Sequence, residues 1–351
     1  MAASPLPLVS VIIPVFNGEA FLADAIRSVL AQTYQHFELT IANNCSTDRT
    51  LAIAEEFAAR DARVRVHSYP RHVSVVESFN TAFTLMPDGA TYCKPLGADD
   101  WLFPTCLAEL VRVAEAHLTV GMVTSYVLRG NRLGGGGLPY PSTLVSGREV
   151  CRLRLLRGIK VFGGPSASLL RASIVRQRLP FYNPVDYHGD NTAYLELLQQ
   201  HDFGFVHQVL SYTRRDEGSR TTAYLNRVHS YPAAEVDELS RFGRVYLTPE
   251  EHATRLREAW GAYYRLLGRS VLEFRGREFW HYHLGVVKGM GYDLSYLRIA
   301  LAAGGQLLEA LLNPLRTARG VARRLRRSQA SVTQPAQATT WSGPVTPLTS
   351  G

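Results

Sequence analysis

Apolar positions near the start of the chain alternate between a two-residue and a three-to-four-residue period. Val9-Ser10-Val11-Ile12-Ile13 is a β-branched run that predicts a strand ending at Pro14, with a turn at Asn17-Gly18. From Glu19 to Gln32, Phe21, Leu22, Ala25, Ile26, Val29 and Leu30 fall on one helical face. Phe37 to Ala42 reads as a second strand running into Asn43-Asn44-Cys45-Ser46-Thr47-Asp48, with Ser46 or Thr47 as N-cap of a helix through Ala59. A strand over Val64–His67, a helix over Val75–Leu85 and a strand over Ala90–Leu96 complete a βαβαβαβ series. That alternation predicts a mostly parallel, Rossmann-like α/β sheet flanked by helices, with its ligand crevice at the carboxyl ends of the strands.

Beyond this series, a helix over Cys106–Ala116 and a strand over Val120–Val127 are expected. Gly134 to Gly137, followed by Pro139 and Pro141, reads as a flexible loop, and the stretch to about Thr222 as irregular. Residues 226–327 are expected to be helical, and 328–351, rich in Ser, Thr, Gln and Pro, a disordered tail.

The polar clusters Asn17-Gly18, Asn43-Asn44 and Asp99-Asp100 all fall at predicted strand ends. Adjacent carboxylates repel, so burying Asp99 and Asp100 together would raise at least one pKa unless a cation intervenes. A hard Mg²⁺ or Mn²⁺ suits that role, taking one or two carboxylates plus substrate phosphates. A turn or helix cap is the plainer reading of the pair alone.

A hydrophobic fraction of 46% and a charged fraction of 19% are those of an ordinary globular protein with a substantial core. Four cysteines without CxxC spacing read as reduced thiols of a cytoplasmic protein, not a zinc site or disulfide frame. No basic leader opens the chain and no uncharged run is long enough to span a bilayer. The net charge of +8 is concentrated in Arg316, Arg319, Arg323, Arg324, Arg326 and Arg327. Ahead of them Leu294, Leu297, Leu301, Leu308, Leu311, Leu312 and Leu315 recur at near-helical spacing. This is either an interfacial helix on an anionic membrane, making the protein peripheral at the cytoplasmic face, or a packing helix with a solvated basic end. No basic patch interleaved with aromatics points to nucleic acid.

Taken in order, the strand-end clusters resemble the family 2 glycosyltransferases, inverting enzymes with a GT-A fold, over about residues 8–225. Val9 to Glu19 is similar to the family's opening strand and loop, and Ser28 to Tyr34 with Phe37-Glu38 to its first helix and second strand. Asn43 to Asp48 stands at its Asp-rich turn, and Asp99-Asp100-Trp101 with Pro104 at its metal-binding aspartates. The resemblance implies a GT-A domain over 1–225, with a nucleotide-binding half (1–105) and an acceptor half (106–225).

By the same resemblance, Pro14 and Phe16 line a nucleobase, Glu19 sits nearby, Asn43 meets the base edge and Asn80 faces the nucleotide. Asp99 binds Mg²⁺ or Mn²⁺ on the diphosphate, and Asp100 supports it or reaches the ribose. Asp190, in His188-Gly189-Asp190-Asn191, is the expected general base, with a helix cap as its structural reading and Asp186 as a rival. Gly163 to Ser168 with Arg171 resembles the acceptor-side segment, and Tyr212 to Ser219 a loop over the donor, where Arg214 or Arg215 could pair with the diphosphate. Three positions depart from the pattern: Asn43 for a common Asp, Gly97 for the first Asp of an Asp-x-Asp triplet, and Asp216 for a frequent His.

The expected partners are a UDP-, dTDP- or GDP-sugar and a glycan or lipid-linked acceptor, in a cell-surface polysaccharide or similar pathway. The departures keep a second reading open: a catalytically silent GT-A module that binds a nucleotide sugar or a partner enzyme. A nucleotidyltransferase lacks the Gly-rich phosphate loop with a basic residue after the first strand.

Overall fold

The computed structural model describes residues 6–186, 188–214 and 220–312, without the side chains of 220–222. Strands β1 (Leu8–Val15), β2 (Phe37–Asn43), β3 (Val64–Ser68) and β4 (Ala90–Pro95) alternate with helices α1 (Leu22–Leu30), α2 (Thr50–Ala58) and α3 (Val75–Thr84). Then come β5 (Trp101–Leu102), α4 (Cys106–Ala116), β6 (Val120–Arg129), β7 (Arg132–Gly134), β8 (Leu144–Val145) and α5 (Gly147–Arg157). A 3₁₀ turn (Pro165–Ala167) leads into β9 (Ser168–Arg171), α6 (Ala172–Gln177), α7 (Gly189–Leu197) and β10 (Asp202–Thr213). Helices α8 (Arg220–Arg227), α9 (Tyr231–Tyr246), α10 (Pro249–Leu272), α11 (Arg277–Gly289) and α12 (Tyr296–Leu312) follow.

One sheet runs β3-β2-β1-β4-β9-β6-β10-β5, with β7 on β6 and β8 on β10. Strands β3, β2, β1 and β4 are mutually parallel, as are β6 and β10; β9 lies antiparallel between β4 and β6. In register, Val15 faces Asn43 and Asn43 faces Ser68, so β1, β2 and β3 deliver their following loops to one edge.

The sheet is buried on both faces, which explains the nearly continuous apolar run of β1. Val9, Val11 and Ile13 join Leu22, Ile26, Leu107 and Leu110 on one side. Ile12, Phe83, Tyr194 and Phe203 lie on the other, in a core that continues through Val236, Leu239, Tyr263 and Leu267 of the C-terminal helices.

Several expectations need correction. The glycines expected as a flexible loop are closely packed: a Cβ on Gly135 (φ +80°) would meet the Ser125 carbonyl of β6 at 2.6 Å, and one on Gly137 would meet Ile159 at 2.5 Å. The stretch expected to be irregular holds α5, α6, α7 and β10. Neither Ser46 nor Thr47 caps α2, because the helix starts later, at Thr50, with Arg49 in the capping position. Leu294, grouped with the leucine face, is buried.

Helix α12 packs on α10 through Ile299 and Ala303, close enough that a Cβ on Gly268 would lie 2.6 Å from the Ala303 nitrogen. Turned outward, Leu297, Leu301, Leu308, Leu311 and Leu312 span an arc of about 100° at helical spacing, each more than half exposed. Leu315 and the arginine cluster lie outside the described residues. Among the described residues no helix is long and apolar enough to cross a membrane.

Gly268→Leu is expected to force α12 off α10 and cost about 1–3 kcal/mol, read as a lower urea midpoint. Gly285→Ala on α11, where a Cβ meets nothing within 4 Å, should hold or raise that midpoint. An unchanged midpoint in Gly268→Leu would contradict the tight α10–α12 contact.

Candidate functional site

At the carboxyl edge the loops after β1 and β2 are stitched together. Asn17, in the left-handed region at φ 51°, accepts from the Thr47 nitrogen at Oδ1 (2.8 Å), and its own nitrogen donates to Ser46 Oγ (3.0 Å). The Gly18 nitrogen donates to Thr50 Oγ1 at 2.8 Å, and a Cβ there would come within 2.6 Å of Val15. Glu19 accepts from the Arg49 nitrogen at Oε2 (3.0 Å), and Asp48 accepts from the Thr50 nitrogen at Oδ1 (3.0 Å), so two carboxylates supply the acceptors at the start of α2 that Ser46 and Thr47 do not. The Glu19 carboxylate therefore ties two loops together.

Phe16 is left at the rim, its ring 4.2 Å from that of His72, with Pro14 half-buried behind it. Asn43 sits lower than expected. It is buried, with Oδ1 accepting from the Ser46 nitrogen and Nδ2 donating to Ser68 Oγ, so its amide holds the loop. Asn80 is also corrected: it is buried on α3, donating from Nδ2 to the Tyr182 carbonyl (2.7 Å) and accepting from the Tyr182 nitrogen (2.8 Å). Its amide clamps backbone where a nucleotide contact was expected.

Beyond β4 the two aspartates have different surroundings. Asp100 is buried, and Oδ2 accepts from Ser166 Oγ at 2.5 Å, while Oδ1 accepts from the Arg214 nitrogen at 3.1 Å. Burial, then the charge of Asp99, pushes its pKa up to about 7 against the opposing hydrogen bond from Ser166. Asp99 is more open, and the two carboxylates lean toward one point: a Cβ on Gly97 would lie 3.1 Å from Asp99 Oδ1 and 3.0 Å from Asp100 Oδ2. Below them Lys94, with no exposed surface, donates to the carbonyls of Ser166 (2.5 Å) and Pro95 (3.2 Å). Burial lowers its pKa. The Arg214 guanidinium lies 4.1 Å from the Phe21 ring centre, and its Nε donates to the Asp99 carbonyl (3.4 Å). Arg215 and Asp216 lie outside the described residues.

Ser166 belongs to the turn that also reaches Asp190. Gly163 and Gly164 take φ +70° and +90°, and a Cβ on Gly164 would lie 3.9 Å from Asp190 Oδ2 and 4.0 Å from Arg129 Nη2. Asp190 occupies the first turn of α7, but Asp186 does the capping: it accepts from the His188 nitrogen (2.8 Å) and from Thr192 Oγ1 (3.0 Å). Burial raises the Asp190 pKa, opposed by His188. Asp190 lines a cavity of about 380 Å³ between the Gly163-Gly164 turn, α7 and α9. Arg154 and Glu238 form a buried pair in its wall, with both Glu238 oxygens accepting from Arg154 Nη2 (2.7 and 2.8 Å).

The structure thus brings Pro14 and Phe16 to one rim, and links Asp100 and Asp190 through the Gly163–Ala167 segment. Ser166 lies in the segment that resembles the acceptor side, whereas His72, Lys94, Arg129 and the Arg154–Glu238 pair were not singled out in the sequence. Only Lys94 carried a local signal, a charge inside an otherwise apolar strand; the others depend on contacts distant in sequence.

Residues 10–179 match the family model described as glycosyl transferase family 2. A Haemophilus influenzae protein named as an uncharacterized glycosyltransferase is 30% identical over 34% of this chain and 37% of its own length. The chain spans between 12% and 54% of the length of the first four curated relatives it matches. Among solved structures, the mannosyltransferase PcManGT from Pyrobaculum calidifontis, in complex with GDP-Man and Mn²⁺, has a TM-score of 0.53 at 17% identity, covering 90% of this chain and 83% of that one. S. aureus TarS 1-349 in complex with UDP-GlcNAc has a TM-score of 0.52 at 16% identity, over 73% and 80%. These likenesses give the fold, which is of the GT-A type. Through residues 10–179, the chain belongs to glycosyl transferase family 2.

Proposed function

We propose that the chain is an inverting glycosyltransferase that moves a sugar from a nucleotide-sugar donor to a hydroxyl of a glycan or lipid-linked acceptor, in cell-surface polysaccharide or similar glycoconjugate synthesis. One observation carries this reading. The short segment 163–167 bonds Asp100 and Gly97 through Ser166 and stands against Asp190 through Gly164, which supports a candidate diphosphate anchor and a candidate base held by one segment. Structural neighbours crystallised with UDP-GlcNAc and with GDP-Man and Mn²⁺ support the donor class; UDP-, dTDP- and GDP-sugars are the candidates here.

Phe16, exposed at the rim beside His72, offers an aromatic face on which a base could stack. Among the described residues no cluster of three or more His, Cys, Asp or Glu could cage an ion. One or two carboxylates fit Mg²⁺ or Mn²⁺ when substrate phosphates and water complete the oxygen shell. Asp99, supported by Asp100, would hold that ion, which when bound offsets charge on the leaving diphosphate. Arg214, anchored over Phe21, faces the same region. Asp190 takes the proton of the acceptor hydroxyl as its oxygen bonds to the anomeric carbon. The bond to the diphosphate breaks on the opposite face, inverting that carbon.

The exposed leucine face of α12, followed in sequence by six arginines without an acid among them, supports peripheral attachment to an anionic membrane. An acceptor presented at that surface would then be close by.

Asp190→Asn is expected to lower transfer by about 10²–10⁴-fold and leave Mn²⁺-dependent nucleotide binding intact, while Asp99→Ala weakens both. Full transfer by Asp190→Asn would remove that residue from the reaction, and nucleotide binding without turnover of any donor would favour the silent module. Because the base must be ionised and its pKa is raised, transfer should fall as pH drops through a value above the ordinary aspartate 3.8. A pH profile flat down to that value would refute this assignment. Finally, Leu301→Glu with Leu308→Glu should reduce sedimentation with anionic vesicles at least tenfold; unchanged sedimentation would leave α12 as a packing helix.

A further inference from the structure

The cavity beside Asp190 holds more positive charge than the wall around it neutralises. Arg129, Arg154 and Lys160 line it, facing the carboxylates of Asp190, Glu235 and Glu238. Two of those carboxylates are already paired. Glu238 is held by Arg154, and Glu235 pairs with Arg255 at 2.8 Å. Arg129 donates from Nη2 to the Gly163 carbonyl at 2.6 Å, while its buried Nε bonds nothing among the described residues. Lys160 lies 5.7 Å from the centre of the Tyr231 ring and has no carboxylate partner among the described residues.

A buried donor without an acceptor carries a desolvation penalty, which falls on Arg129 Nε, and the exposed Lys160 lines the same cavity, able to turn toward an anion. A neutral sugar hydroxyl could reach Asp190 but would leave both cations unmatched. A carboxylate or phosphate a few bonds from that hydroxyl would match them, and a planar guanidinium is suited to holding either group. Pockets for small ligands start near about 300 Å³, so this one admits a monosaccharide or the end of a chain. The Tyr231 ring is largely exposed beside it, a flat face for a sugar ring.

We propose that this cavity is the acceptor site and that it selects an anionic sugar, with the reacting hydroxyl at Asp190 and the anionic group on Arg129 and Lys160. The proposal rests on the transferase reading above. It can be tested on the full chain by isothermal titration at low salt with methyl β-glucuronide, methyl β-glucoside and glucose 6-phosphate. At least one charged sugar is expected to bind about tenfold more tightly than the glucoside. That ratio should fall toward one in Lys160→Gln and in 0.5 M salt, and persist in Lys160→Arg. Preference for the glucuronide alone, or for the phosphate alone, identifies the anionic group. Equal affinities, no binding of any of the three, or a ratio that survives Lys160→Gln overturns the proposal. Thermal stabilisation by UDP, dTDP or GDP with Mn²⁺ tests the transferase reading separately. Nucleotide binding without charge preference removes only the anionic acceptor, whereas charge preference without nucleotide binding removes the transferase.

Discussion

A carboxylate buried at the end of a central strand must be satisfied by donors from several directions, and at Asp100 that requirement arranges the site. Ser166 supplies an O–H from the 163–167 segment and Arg214 a backbone N–H from beyond β10, while Thr213 Oγ1 lies 3.5 Å away. Each donor belongs to a segment distant in sequence, so the bonds fix the ends of β4 and β10 and the 3₁₀ turn relative to one another. Removing one would leave a buried carboxylate short of a partner, at about 1–3 kcal/mol. Lys94 completes the arrangement from below. Its bonds go to the Ser166 and Pro95 carbonyls, and the Asp100 charge opposes the fall that burial imposes on its pKa.

That framework also accounts for the division between the neighbouring aspartates. Asp100 is oriented inward and saturated by protein donors; Asp99, one residue on the other side of the same turn, is more open. Gly97 belongs to this geometry. A side chain there would start within about van der Waals contact of both carboxylates, and a third acid would add to the repulsion that already lifts Asp100 to about 7.

Much of the sheet was legible because its strands are continuous apolar runs separated by helical periods, and each polar cluster falls where a strand must end. Asp99-Asp100 was legible for the same reason. The amides were not. Asn44 and Asn80 look like any other asparagine in sequence, yet each completes a bonding pattern set by a distant backbone: Asn44 bonds both the nitrogen and carbonyl of Val73, as Asn80 does for Tyr182, while Asn43 bonds the nearby Ser46 nitrogen and the Ser68 hydroxyl. An amide matches a peptide group so well that burial against one is always open to it, and local pattern cannot tell which peptide it meets. The Arg154–Glu238 pair escaped for a related reason, since 84 residues separate its members. The glycine run at 134–137 was misread because close packing, on β6 and on Ile159, and flexibility both favour the same residue type.

The start of α7 shows how two acids near each other in sequence come to differ. A helix start needs an acceptor for its free N–H groups, and whichever carboxylate supplies it is held in place. Asp186 takes that position, bonding the His188 nitrogen and Thr192, with Arg241 3.8 Å away. Asp190 is left with the N–H of Asn191 and a buried setting that raises its pKa. Had Asp190 been the cap, the N–H groups that steadied the helix would also have lowered its basicity. Placing the cap four residues earlier leaves α7 anchored by one carboxylate, while the other stands beside Gly164 in a buried setting that raises its pKa.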